Sequence, residues 1–196
     1  DRVIKRFADA RDFEREYAVY RLGLPMVPRL LEYREPEWIS LERVTGQAYL
    51  DCAFGRDEAT ALALTLAAFH QATLAPGLCL CHWDNQPRNI LRSGCIYHLI
   101  DFSESRRDCP EADLTHLLLF WATEFAPGRF QHLLEPFLDA YRNVIPLSGK
   151  RWIDALSQSR ERFELRRARY GRRPRHASGA DWLANLALLA TAVKIA

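Results

Sequence analysis

The stretch from Cys81 to Ser103 constrains this chain most. Cys81-His82-Trp83-Asp84-Asn85-Gln86-Pro87-Arg88-Asn89 is a polar loop running into an apolar pair, Ile90-Leu91. A second apolar run, Ile96-Tyr97-His98-Leu99-Ile100, delivers Asp101-Phe102-Ser103. Gly94 lies between the two runs and reads as a turn, so the local structure expected is loop, strand, turn, strand. Such a hairpin brings Asn89 and Asp101 to neighbouring strand ends, although twelve positions separate them in the chain. One carboxylate and one amide oxygen, with positions left for water and phosphate, suit Mg2+. Asp84 is then left to accept a proton.

These residues resemble the protein-kinase-like superfamily. His82, Asp84 and Asn89 fit the His-x-Asp-x-x-x-x-Asn pattern, and Asp101-Phe102-Ser103 stands at the Asp-Phe-Gly position. The resemblance implies that Asp84 orients and deprotonates an acceptor hydroxyl while Asn89 and Asp101 hold Mg2+, with Mn2+ as the alternative. His82 is expected to brace the loop rather than react. Without both motifs, an Asp/Asn-rich hairpin with no chemistry would account for the same residues.

Upstream, Val3-Ile4-Lys5-Arg6-Phe7 reads as a short strand, and a helix is expected from about Asp12 to Leu22, ended by Gly23. Phe13, Tyr17 and Tyr20 form its apolar stripe. Glu16 lies nearer the centre of that stripe than Glu14. The resemblance implies a strand lysine on the ATP phosphates steadied by a helix glutamate, which carries over to Lys5 and Glu16, with Glu14 as the fallback. Two further strands are expected, Arg29 to Tyr33 and Trp38 to Val44, the second closed by Thr45-Gly46. By the same resemblance, Glu42 and Val44 match hinge positions whose backbone groups bind adenine.

The rest reads as helical: Ala59 to Thr73 capped by Asp57 or Asp51, Leu114 to about Phe125 with Asp113 at its start, Phe130 to Val144, Lys150 to Tyr170, and a final one from Ser178 through Ala196. Apolar residues run almost all round the first and last of these, which predicts burial. In kinase-like folds an aspartate at Asp113's position braces the catalytic loop, and a simple N-cap is compatible with that. His70 reads as a packed or capping histidine. At 196 residues and 48% hydrophobic, the chain can bury a large lobe and a small one. The expected architecture is α+β, a protein-kinase-like two-lobed fold with a reduced N-terminal lobe (1–41) and a mainly helical C-terminal lobe (42–196).

The formal charge of +2 says nothing about partners. No run of eighteen apolar residues occurs, the first residues do not read as a signal peptide, and five cysteines without CxxC spacing read as free thiols of a reducing cytosol. Eight arginines (160, 162, 166, 167, 169, 172, 173 and 175) cluster in 160–175, either a solvated helix end or a surface for RNA or another anionic partner.

Four features depart from ordinary protein kinases. No glycine precedes Gly23, so a Gly-rich phosphate lid lies upstream of Asp1 or the protein works without it. Trp83 and Asn85 change the catalytic loop, and Ser103 replaces the glycine after Asp-Phe. Only twelve positions separate Asp101 from Asp113, with no Ala-Pro-Glu, which leaves no room for a phosphorylatable activation segment. The chain is therefore similar to the compact branch: aminoglycoside or choline phosphotransferases, lipopolysaccharide kinases, and RIO or KEOPS-type kinases. Pro87 leans toward the small-molecule enzymes and the arginine cluster toward the KEOPS type. The expected activity is ATP-dependent phosphoryl transfer to a hydroxyl of a small molecule or glycolipid. The alternatives are a KEOPS-type or RIO-like protein kinase or ATPase, and a nucleotide-binding pseudokinase.

Overall fold

The computed structural model describes residues 1–170 and 178–194. By contacts the chain divides into two compact units, one of residues 1–53 with 82–107 and the other of 54–81 with 108–196. This division groups the hairpin from His82 to Ser103 with the N-terminal strands rather than with the helices.

The first unit holds two small antiparallel sheets and one helix. Strands β1 (Arg2–Arg6), β2 (Leu30–Arg34) and β3 (Trp38–Glu42) form a sheet in the order β1-β3-β2, with Lys5 opposite Ile39. Helix α1 (Ala10–Tyr20) starts two residues before the expected Asp12 because the Asp9 carboxylate accepts from the Arg11 N–H at 2.8 Å, an N-cap. Its buried stripe is Phe13, Glu16, Val19 and Tyr20, whereas Glu14 is exposed. Gly23, at φ +63°, supplies the left-handed turn that leads the chain away from the helix.

Strand β4 (Gln47–Ala48) pairs with β6 (Ile90–Ser93), which pairs with β7 (Ile96–Leu99). The expected hairpin is present, with Ile90 opposite Leu99 and Gly94 in its turn at φ +61°. Gly46 has a specific reason: a Cβ there would lie 2.8 Å from the Arg92 carbonyl oxygen, so any larger residue would push β4 off β6. Two short strands, β5 (Cys79–Cys81) and β8 (Arg106–Asp108), flank the hairpin in sequence.

The second unit is built from α2 (Arg56–Gln71), α3 (Pro110–Glu124), α4 (Pro127–Arg142), α5 (Gly149–Tyr170) and α6 (Gly179–Thr191). Phe69, Leu118, Trp121, Phe130, Phe137 and Trp152 are fully buried. Fully burying a Phe or Leu side chain stabilises by about 1.5–3 kcal/mol. The cap of α2 is Gly55, whose N–H donates to the Glu58 carboxylate at 2.8 Å, rather than Asp51 or Asp57. Helix α3 begins at Pro110, four residues before the expected Leu114, so Asp113 lies inside its first turn and is not an N-cap. Pro127 likewise opens α4, three residues before the expected Phe130. Burial of the first and last helices is partial: Leu64 is 46% exposed on α2 and Leu183 is 64% exposed on α6. Helix α6 is fixed by polar contacts, with Asn185 donating to the Ala122 and Phe125 carbonyls at the end of α3 and Trp152 donating to Leu189. It ends at Thr191 rather than continuing through Ala196, and residues 195 and 196 lie outside the described residues.

Among the described residues no helix is long and apolar enough to cross a membrane. All five cysteines are free thiols. Of the arginine cluster, Arg160 pairs with Glu164 at 2.7 Å and Arg167 lies over the Phe163 ring, both within α5. Arg172, Arg173 and Arg175 fall outside the described residues. Nothing among the described residues ties the cluster to RNA.

Candidate active site

The first unit brings Lys5, Glu16 and Asp101 together from distant parts of the sequence. The Lys5 ammonium lies 2.5 Å from Glu16 Oε1 and 2.7 Å from Asp101 Oδ1. Burial alone would pull the Lys5 pKa down, but its bonds to Asp101 and Glu16 outweigh that and hold it above the ordinary lysine value. At Asp101, burial works against ionisation, yet the Lys5 cation and a Ser103 hydrogen bond hold the carboxyl below its usual range. Glu16 goes the other way: it is fully buried, and desolvation outweighs the pull of Lys5 to leave its pKa raised. Lys5 therefore stays charged and bridges one firmly ionised carboxylate and one reluctant one.

The backbone around Asp101 is held tightly. Its N–H donates to the Tyr20 hydroxyl at 3.3 Å, and its φ is +63°, an uncommon conformation for a residue with a side chain. Phe102 is fully buried, with Tyr20 edge-on at 5.4 Å and the His82 ring at 4.6 Å. Arg15 donates to the Ser103 carbonyl.

The catalytic-loop candidates converge on the same hairpin. His82 is fully buried; its Nε2 lies 2.9 Å from the Ile100 carbonyl oxygen, and its Nδ1 is 3.3 Å from the Asp84 N–H. A carbonyl can only accept, so Nε2 carries the proton and Nδ1 accepts from Asp84. His82 thus ties the loop to the strand end before Asp101. Asn89 donates through Nδ2 to the Asp84 carbonyl at 2.7 Å and to its carboxylate Oδ2 at 3.1 Å, and the Asn89 carbonyl accepts from Ile100 N–H at 3.0 Å. Those two bonds commit the amide nitrogen to Asp84. Hard oxygens from Asn89 and Asp101, on adjoining strand ends, fit a divalent cation such as Mg2+ better than a soft metal.

Glu42 and Val44 lie at the end of β3 and just past it. The Glu42 side chain is exposed and 3.6 Å from Arg29 Nε, and its N–H donates to the Arg29 carbonyl at 2.9 Å. Val44 is half-buried. Neither touches the Lys5 cluster through a polar bond among those described.

The contacts of three residues were not legible in the sequence. Tyr20 counted only as part of an apolar stripe, yet its hydroxyl holds Asp101. Gln86 donates through Nε2 to Asp84 Oδ2 at 2.8 Å. Trp83 stood out as an unusual residue, but its φ of +61° carries no local signal; the Arg106 guanidinium lies 3.2 Å from the centre of its ring. A polar residue between Asp84 and Asn89 was the one available hint for Gln86.

In the second unit, His70 is fully buried and bridges Tyr141 (Nδ1 to Oη, 2.6 Å) and Asp113 (Nε2 to Oδ2, 3.0 Å). His70, Cys79 and Cys81 place their donor atoms within 4.8 Å of one another. Both ring nitrogens of His70 are already engaged, however, and Cys81 Sγ donates toward the Asp108 and Cys109 carbonyls. This group is a satisfied core network, in keeping with a packed histidine.

The fold is that of kinase-like phosphotransferases. An amicoumacin kinase, hAmiN, solved in complex with AMP-PNP, Ca2+ and Ami, matches with a TM-score of 0.66 at 13% identity, over 96% of this chain and 80% of that one. A putative aminoglycoside phosphotransferase from Ralstonia eutropha JMP134 matches with a TM-score of 0.63 at 14% identity, over 97% of this chain and 83% of that one. The choline kinase LicA from Streptococcus pneumoniae matches with a TM-score of 0.55 at 14% identity, over 97% and 85%. No family model and no curated protein matches the sequence. At these identities the likeness is one of fold.

Proposed function

We propose that the chain is an ATP-dependent phosphotransferase that moves the γ-phosphoryl group to a hydroxyl of a small molecule or glycolipid. The observation that carries this reading is the Lys5 ammonium held between Glu16 and Asp101 on the same hairpin that orders Asp84 and Asn89. A structural ion pair would not need a second carboxylate and a carboxamide collected around it. The fold shared with an amicoumacin kinase, an aminoglycoside phosphotransferase and a choline kinase supports small-molecule acceptors over protein ones.

In this reading residues 1–41 are the small lobe and 42–196 the helical lobe. Lys5, steadied by Glu16, holds the α- and β-phosphates. The adenine meets backbone groups at Glu42 and Val44. Asn89 and Asp101 would hold Mg2+ or Mn2+, which when bound would offset the charge of the phosphates. Asp84 orients the acceptor hydroxyl and takes its proton, and His82 keeps the loop in register. Work of this kind is mostly positioning and charge stabilisation.

The test is an Asp84→Ala protein assayed for transfer from ATP to choline, streptomycin, gentamicin and a macrolide, with ATP hydrolysis as the water control. General-base loss is expected to lower turnover by about 10²–10⁴-fold while leaving nucleotide affinity intact. Unchanged turnover in that variant would remove Asp84 from the mechanism.

A further inference from the structure

The Asp84 carboxylate takes two amide N–H bonds on the same oxygen. Gln86 Nε2 lies 2.8 Å and Asn89 Nδ2 3.1 Å from Oδ2. The two donors are not equivalent. Asn89 also bonds the Asp84 backbone carbonyl at 2.7 Å, and its amide oxygen has a proposed task at the metal. Gln86 has no such second duty in the proposed chemistry. Gln86 is buried at 8% exposure, where a side-chain amide that made no bond would be costly. The backbone closes the arrangement, because the Gln86 carbonyl accepts from the Asn89 N–H at 2.9 Å across the turn that contains Pro87. Residues 84, 86 and 89 therefore form a closed ring of three hydrogen-bonded links.

The ring answers a mechanical need. The terminal torsion of an aspartate is broad, so a carboxylate on a loop does not by itself keep one plane. A proton acceptor must present an oxygen to the hydroxyl within hydrogen-bond reach, and a small misplacement costs rate heavily. Two N–H groups on Oδ2, at 2.8 and 3.1 Å, fix the carboxylate plane. A neutral amide does this without setting a second cation beside the base.

We infer that Gln86 is the positioning residue of the Asp84 base, an inference that rests on the proposed function. It acts through Asp84 and does not touch the phosphates. Gln86→Glu is the sharpest probe, since it keeps the shape of the side chain and turns a donor into a like-charged acceptor. Gln86→Ala removes the bond, and Gln86→His keeps a ring N–H that can donate.

The experiment measures kcat and KM for ATP at one fixed pH in the intact protein and the three variants. The probe reactions are transfer to gentamicin, streptomycin and choline, with phosphate release from ATP in water alongside. The expected result for Gln86→Glu is a kcat per folded molecule about 10–100-fold lower with a KM for ATP changed less than about twofold. Gln86→Ala is expected to lower kcat by less, and Gln86→His to recover part of the rate. KM, unlike kcat, does not depend on how much of the variant is folded, and near-ultraviolet circular dichroism supplies the folded fraction. An active protein whose Gln86→Glu kcat per folded molecule stays within about twofold of wild type, or whose KM for ATP rises as far as kcat falls, overturns this inference alone. A wild-type chain inactive in every reaction, water included, overturns it together with the kinase reading.

Discussion

Replacing Lys5 by methionine keeps most of the side-chain stem and removes the charge, so it isolates what the ammonium does. Glu16 is left as a carboxylate with a side chain 1% exposed, whereas Lys5 and Asp101 are 32% and 37% exposed. Breaking a buried ion pair by removing one partner costs about 3–5 kcal/mol. Two features reduce that here. The Lys5 and Asp101 ends are screened by solvent, and Glu16, whose pKa burial already raises, can escape by taking a proton. We expect a loss of about 1–3 kcal/mol at pH 8.

The pH dependence identifies the cause. The Lys5 hydrogen bond and charge are what pull the Glu16 pKa down, so without them it climbs further above its unfolded value. A carboxyl raised in the folded state contributes stability that is present below its unfolded pKa and lost as pH rises through the folded one. The deficit of Lys5→Met must therefore grow between pH 5 and pH 8. Asp101 also loses the Lys5 cation that held its pKa down against burial, so it adds to the same slope, but less than Glu16 because its side chain is 37% exposed. Lys5 itself, with a raised pKa, changes charge only above the ordinary lysine range. Urea unfolding at both pH values, for Lys5→Met and for Lys5→Met with Glu16→Gln, measures this directly. The double variant carries no buried charge at Glu16 and should regain most of the loss at pH 8. A deficit as large at pH 5 as at pH 8, or a double variant no more stable than the single one, would refute the reasoning.

Trp83 offers an inverted order of substitutions. Glycine in place of a buried residue is normally worse than alanine, by roughly 0.5–1 kcal/mol within regular structure. At the Trp83 φ of +61° a Cβ is strained and glycine is not, so Trp83→Gly should be more stable than Trp83→Ala by about 1 kcal/mol in urea unfolding, with both below wild type. The opposite order would mean that the backbone there is ordinary. In the second unit, His70→Leu takes a hydrogen-bond partner from both Tyr141 and Asp113, and Asp113 is fully buried. The expected loss is about 2–3 kcal/mol. His70→Gln should recover part of it, and a His70→Leu melting temperature equal to wild type would show that this bridge carries no stability.

What could be read from the sequence was local periodicity with a consequence. The hairpin was legible because two apolar runs flank a glycine that does take a positive φ, and strand ends must then meet. Glu16 was preferred over Glu14 because it shared a face with Phe13 and Tyr20, and it is the buried one of the two. Two of the errors come from proline. Pro110 and Pro127 lie just outside the ranges expected for these helices, yet each occupies the first turn of one, where its missing N–H costs nothing. That misreading moved the start of α3 and made Asp113 look like a cap. Helix α6 misled differently: an apolar surface all round predicted burial, but Asn185 and Trp152 fix the helix by hydrogen bonds and leave Leu183 outside. Gln86 and Tyr20 were illegible because their roles depend on which atom faces them after folding, and neither spacing nor composition encodes that.

The central claim is that Lys5, Asp84, Asn89 and Asp101 surround the phosphate tail of a nucleotide. A crystal structure of the chain with AMP-PNP and Mn2+, read at the manganese absorption edge, measures it most directly. The account predicts an anomalous peak within about 2.3 Å of both the Asn89 amide oxygen and the Asp101 carboxylate, with the Lys5 ammonium on the phosphates. Manganese bound elsewhere, or a nucleotide whose phosphates lie away from Lys5 and Asp101, would contradict it.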